Sequence, residues 1–252
     1  MFGLHPMVMM AVVAITLAAS FVKGAIGFAM PMIMISGFAS VLPAEQALAA
    51  LILPTVVSNL FQAFRQGIAP AFGAVRDWWR LIATTCVFIA ISSQLIRSVP
   101  QALLLGALGV PIMIFALTQL AGLQIRYHAD NRPMAEVLTG AVGGFYGGLS
   151  GVWGPPTIAL LISTGTEKTE SVRVQGVVYL IGAVMLLFAH LQSGVLNAQT
   201  LPLSAALVVP TLIGMATGFR LHDRLDAMRF RHWTLVILTL IGANLIRQAL
   251  MM

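Results

Sequence analysis

Apolar residues run along this chain in long blocks, and nearly all of its charge falls in the short breaks between them. Eight blocks stand out: Met7 to Leu42, Gln46 to Phe64, Trp78 to Ile96, Gln101 to Leu123, Val137 to Ile162, Val172 to Leu191, Leu203 to Phe219 and Trp233 to Leu250. A helix needs about 20 apolar residues to cross the hydrocarbon core of a bilayer. Six blocks have that length, the first is far too long for one crossing, and both it and the fifth are interrupted by glycine and proline. The pattern predicts an all-α polytopic membrane protein.

The two interrupted blocks repeat one motif. Gly24-Ala-Ile-Gly27-Phe-Ala-Met-Pro31 lines up with Gly148-Leu-Ser-Gly151-Val-Trp-Gly-Pro155, with both glycines and the proline at the same spacing. Each is followed by an acid (Glu45, Glu170), a clean span and a polar-glycine end (Gln66-Gly67, Ser193-Gly194). The duplication predicts two repeats, residues 1–125 and 126–252, each a broken, re-entrant hairpin (about 7–42 and 137–162) followed by three transmembrane helices. Those helices are expected at about 46–64, 78–96 and 101–123 in the first repeat, and at 172–191, 203–219 and 233–250 in the second.

Basic residues favour the cytoplasmic side of short loops. If the fifth block enters and leaves on one face, the basic breaks at Arg65 to Arg80, Arg126 to Arg132, Lys168 to Arg173 and Arg220 to Arg231 share a side. That side then holds eleven basic residues, and only Arg97 and Arg247 fall on the other. If that block is a single crossing, the split is seven to six. The hairpin reading obeys the bias, puts both termini outside and turns the halves in opposite directions. Inverted repeats of this kind mark secondary transporters, with substrate held where broken helices meet near the midplane.

Composition agrees and narrows the field. Of 252 residues 59% are hydrophobic and 9% charged, against about 25% charged in a soluble domain, so lipid is the main solvent. The net charge of +6 is scattered over loops and forms no basic face for nucleic acid. Cys86 is the single cysteine, which excludes an internal disulfide and a multi-cysteine metal site. Met7 to Val22 has the apolarity of a secretory signal, but no Lys or Arg precedes it and it leads into the repeated motif, so it is expected to belong to the mature protein.

The two glycine-rich broken segments, each ending in proline and followed by a span with one polar face, resemble the signature regions of the sulfite exporter TauE/SafE family. The likeness covers essentially the whole chain and rests on the duplication. The first segment departs from the pattern, with Phe28-Ala29-Met30 where many members carry a denser glycine run. The resemblance implies export of a small anion, sulfite or an organosulfonate, across a bacterial cytoplasmic (inner) membrane.

Lys23 is the charge expected deepest in an apolar block, where an ionised group is a functional candidate by default. Near the apex of the hairpin it would attract an anion; at a shallower depth it would reach an interface. Gly24, Gly27, Gly148, Gly151 and Gly154, with Pro31, Pro155 and Pro156, let the backbone leave helical geometry, and half-helix N-termini there would aim N–H groups at an anion. The alternative for the glycines is close helix packing. Ser58, Asn59 and Gln62 share one face of their span, as do Gln175 and Tyr179 of theirs. They are placed either to complete an anion's hydrogen bonds or to join helices. Glu45 and Glu170 suit helix N-termini and Arg173 a span entrance, while His190 suits a structural or proton-relay role.

No His-Glu-x-x-His string occurs, and Asp77, Asp130, Asp223 and Asp226 are all expected in loops. An intramembrane enzyme is therefore disfavoured, and no cofactor or metal is expected. The remaining alternatives are a channel or transporter for another small anion or organic acid, and a membrane scaffold. The expected partners are the small anion and membrane lipid, and assembly into a homo-oligomer fits the same reading.

Overall fold

In hydrocarbon every main-chain N–H and C=O must find a partner, and a helix supplies one for each within itself. The computed structural model describes residues 4–123, 131–222 and 227–251; Arg126, Asp130, Asp223, Arg224 and Asp226 lie outside them. The helices are, in order, α1 (Pro6–Ile26), α2 (Met30–Ala39), α3 (Ala44–Phe64), α4 (Ile68–Asp77), α5 (Trp79–Leu95), α6 (Gln101–Leu120), α7 (Arg132–Ser150), α8 (Gly154–Ser163), α9 (Lys168–Gln192), α10 (Leu201–Ala206), α11 (Val208–His222) and α12 (Ala227–Leu250). No strand occurs among the described residues. Among the described residues, six stretches have the length and apolarity to cross a membrane: α1, α3, α6, α9, α10 with α11, and α12.

The broken blocks are each one long and one short helix, not two half-helices. α1 has 21 residues and α7 has 19, whereas α2 and α8 have 10 each. At 1.5 Å per residue the long arms reach roughly 30 Å and the short ones about 15 Å. Within each pair the short arm folds back along the long one, so that Gly37 of α2 packs on Ile15 of α1. Two further helices occupy ground expected otherwise. α4 forms within the basic break after α3, with Ala71 and Ala74 buried and Ile68 and Phe72 exposed one turn apart, and Asp77 is its last residue. α10 splits off the front of the span expected from Leu203, at a turn around Leu207.

Partners come from opposite halves. Glycine stripes show how closely the long arms lie on their neighbours, because a Cβ added to Gly24 of α1 would sit 2.6 Å from the Met215 carbonyl of α11. One added to Gly148 of α7 would sit 2.7 Å from the Ile89 carbonyl of α5. Going up α7 from Gly140 to Gly148, the contacts climb α5 from Leu81 to Ser92, and going up α1 from Leu17 to Gly24 they climb α11 from Gly214 to Gly218, so both pairs are parallel. α3 and α9 run antiparallel, with Ala63 against Gly176 and Asn59 against Tyr179. α6 and α12 are also antiparallel, through Gly109 and Gly242.

A buried acid anchors α7. Glu136 is 1% exposed and pairs with Arg132, 2.8 Å away and one turn earlier. The Arg132 guanidinium also lies 4.3 Å over the Trp78 ring and donates to the Asp77 carbonyl, which ties the start of α7 to the α4–α5 junction. Glu136, one residue before the expected block, is thus a second buried charge besides Lys23.

Proline inside α3 creates a defect that the other half repairs. Pro54 has no N–H, so the Ala50 carbonyl loses its helical partner. The Ser204 hydroxyl of α10 donates to that carbonyl at 3.2 Å and accepts from the Leu53 N–H at 3.1 Å. Ser204→Ala strands the Ala50 carbonyl in an apolar interior, at about 1–3 kcal/mol. The expected outcome is a lower thermal unfolding midpoint for the purified protein in detergent, and an unchanged midpoint would refute this role.

Candidate functional site

Two breaks in otherwise continuous helices build the site. α1 ends at Gly27, whose left-handed φ of 85° turns the chain while its N–H reaches back to the Lys23 carbonyl at 2.7 Å. Phe28 and Ala29 follow, and α2 starts at Met30. Ala29 also holds a left-handed φ, 75°, a conformation that costs a residue with a Cβ roughly 1–2 kcal/mol.

The second break is built alike and patched differently. Gly151 has φ 73° and donates to the Gly147 carbonyl at 2.7 Å. The Val152 N–H donates to the Ser150 hydroxyl at 3.1 Å, and His190 Nε2 donates to the Gly148 carbonyl at 2.9 Å. A carbonyl only accepts, so Nε2 carries the proton, and Nδ1 faces the Ser193 hydroxyl at 3.1 Å. His190 thus caps the end of α7 from α9, a structural task. Glu45 and Glu170 lie in the first turns of α3 and α9, as capping acids do.

The breaks face one another across a single cavity. Phe28, Ala29 and Pro31 line it from the first and Gly151 to Pro155 from the second, with Thr55 and Asn59 of α3 and Tyr179 of α9 between them. About 30 Å³ of its interior admits a water-sized group, and with the open mouth the unfilled space is about 400 Å³. The smaller figure describes what fits inside, room for about two waters.

Lys23 enters this wall from the last turn of α1 and is 2% exposed. Its ammonium donates to Asn59 Oδ1 and, at 3.0 Å, to Ser58 Oγ. Because an ammonium only donates, the amide orientation of Asn59 is forced, and its Nδ2 donates to the Tyr179 carbonyl at 3.1 Å. The Tyr179 hydroxyl donates to the Gly154 carbonyl at 3.2 Å. A chain of hydrogen bonds therefore runs from α1 through α3 and α9 to the start of α8. Among the described residues no carboxylate pairs with Lys23.

Of the residues singled out in the sequence, Lys23, Pro31, Asn59, Gly151, Gly154, Pro155 and Tyr179 line the cavity together. Gly24 and Gly148 instead give close contact between α1 and α11 and between α7 and α5. Gly27 turns the chain without touching the cavity. Gln62 is buried one turn beyond Ser58 with both amide atoms unpaired, and Gln175 is half-buried on α9; neither lines the cavity. The half-helix N-termini supply fewer main-chain donors than expected. Of the first three residues of α8 only Gly154 has an N–H, since Pro155 and Pro156 have none. Thr55 and Trp153 are wall residues that sequence reading missed. Thr55 lies four residues before Asn59, on the same helix face, and that spacing was the available signal.

A family profile described as Sulfite exporter TauE/SafE matches residues 12–245. No curated protein and no solved structure matches.

The two turning glycines differ in what surrounds them. A Cβ at Gly151 would fall 2.8 Å from Leu51 Cδ1, whereas one at Gly27 meets nothing within 4 Å. Both alanine variants carry the backbone penalty of about 1–2 kcal/mol. Gly151→Ala adds a clash, so it is expected to lower the thermal midpoint more than Gly27→Ala; equal midpoints would show that Leu51 yields freely.

Proposed function

Because the chain belongs to the sulfite exporter TauE/SafE family of membrane transporters, we propose that it exports sulfite or a small organosulfonate, and that the cavity between the two helix breaks holds the anion. The observation that carries this reading is Lys23: a buried ammonium with only neutral oxygens as partners among the described residues. An unbalanced charge inside a membrane protein costs several kcal/mol. An anion in the cavity supplies the missing countercharge, so the site attracts what it carries.

Export of an anion from a negative interior is electrically downhill by about 2.3 kcal/mol per unit charge at 100 mV. A uniporter suffices, with no coupled ion. Movement by alternating access, one part of the molecule rocking against the other, is supported by the way each half's helices pack on the other half's. Two inverted repeats, residues 1–125 and 126–252, account for the antiparallel pairing of α3 with α9 and of α6 with α12. The family supports a location in a bacterial inner membrane, and the eleven-to-two split of basic residues supports an orientation with both termini outside.

Flux into proteoliposomes tests this directly. Wild-type protein is expected to give saturable sulfite flux, and Lys23→Met, which keeps the length but removes the charge, is expected to lower it about 10- to 100-fold, the worth of a charge-assisted hydrogen bond. Wild-type rates in Lys23→Met, or no sulfite flux at all, would overturn the assignment. Flux that rises linearly with concentration would favour a channel.

A further inference from the structure

Two residues that line the cavity each carry a buried polar atom with no partner: Thr55 Oγ1 and Trp153 Nε1. Thr55 departs from the habit of its own molecule. Thr16, Thr84, Thr85, Thr157 and Thr211 each donate their hydroxyl to the carbonyl four residues back, at 2.7–3.1 Å, the usual solution inside a helix. Thr55, 0% exposed, does not. Trp153 is held in a slot made for it. A Cβ at Gly147 of α7 or Gly182 of α9 would come within 2.9 Å of the indole ring, so both positions need glycine while the ring is there. An indole N–H can only donate, and this one is buried against Gly182 of α9 with nothing to receive it.

Lys23 completes the set. Its ammonium has three N–H bonds, and two go to Ser58 and Asn59. The proton of the Tyr179 hydroxyl is already committed to the Gly154 carbonyl. The residues that line the cavity therefore carry three uncommitted donors from three elements: α1, α3 and the second break. The wall holds no aspartate or glutamate.

Resting on the reading that this cavity is the transport site, we propose that Thr55 and Trp153 join Lys23 in a carboxylate-free donor cradle for the oxygens of a fully deprotonated oxyanion, and that the site rejects zwitterions. A sulfite or simple sulfonate head has oxygens that accept hydrogen bonds and needs nothing in return. An aminosulfonate brings an ammonium that needs an acceptor or a negative charge, and it meets Lys23 with no carboxylate to offset the repulsion. The small interior adds to the penalty, because it leaves little room for water to solvate a second charge.

The test uses the full chain in proteoliposomes and two probes of nearly equal shape, ethanesulfonate and 2-aminoethanesulfonate, as competitors of sulfite flux. Ethanesulfonate is expected to compete, and 2-aminoethanesulfonate to leave flux unchanged at a hundredfold excess over sulfite. Thr55→Val and Trp153→Phe are each expected to raise the KM for sulfite about tenfold, while Thr55→Ser, which restores a hydroxyl, stays near wild type. Competition is read on unmodified protein, so it stands even if Trp153→Phe folds poorly. Equal competition by the two sulfonates, or a wild-type KM in Thr55→Val, overturns the donor cradle. In that case saturable sulfite flux lost in Lys23→Met would leave the transport reading intact. Absence of sulfite flux in the wild type would remove both.

Discussion

Hydrocarbon tolerates no unpaired main-chain group, and the places where this molecule breaks a helix are the places where something else takes up the loose ends. At Pro54 the Ser204 hydroxyl bridges the gap from another helix. At the second break the Ser150 hydroxyl and the His190 ring do the same. At the first, Gly27 closes the end of α1 on the Lys23 carbonyl. Each repair needs a polar or very small residue at a defined spot. The same repairs permit a polar cavity in an otherwise apolar interior.

The cavity belongs to neither half. Lys23 and Asn59 come from the first, Tyr179 and the Gly154 turn from the second, and their hydrogen bonds form one line. Removing one member leaves its neighbour buried and unpaired, which is costlier than losing the bond itself. The line also sets rotamers: Asn59 can sit only one way between an ammonium and a carbonyl. A site held this firmly suits a small cargo recognised by hydrogen bonds at close range.

Much of this was legible in the sequence because composition and spacing control what a lipid-embedded chain can do. The eight blocks, the two interruptions and the polar face at Asn59 follow from apolar length, glycine–proline spacing and helical periodicity. What stayed hidden was which neighbour each face meets. Gly24 and Gly148 occupy matching positions in the motif and look like parts of a binding loop, yet both serve helix contact, because the motif's first glycine falls on the still-helical arm. Thr55 was overlooked because a threonine in a helix normally satisfies itself. Glu136 drew no notice because α7 starts earlier than its apolar stretch does. The short helices α4 and α10 were missed because neither is long or apolar enough to register as a span.

The exchange of partners between halves bears on how the protein is made. Ribosomes deliver α1 long before α11, on which its glycine face packs. Until then that face must be covered by acyl chains or by the insertion machinery, and the lysine near its end gains Asn59 only once α3 has entered. Assembly cannot proceed as two finished modules that later dock. Nascent chains stalled before α11 would carry an unmatched first helix, which is the form a membrane quality-control protease would encounter.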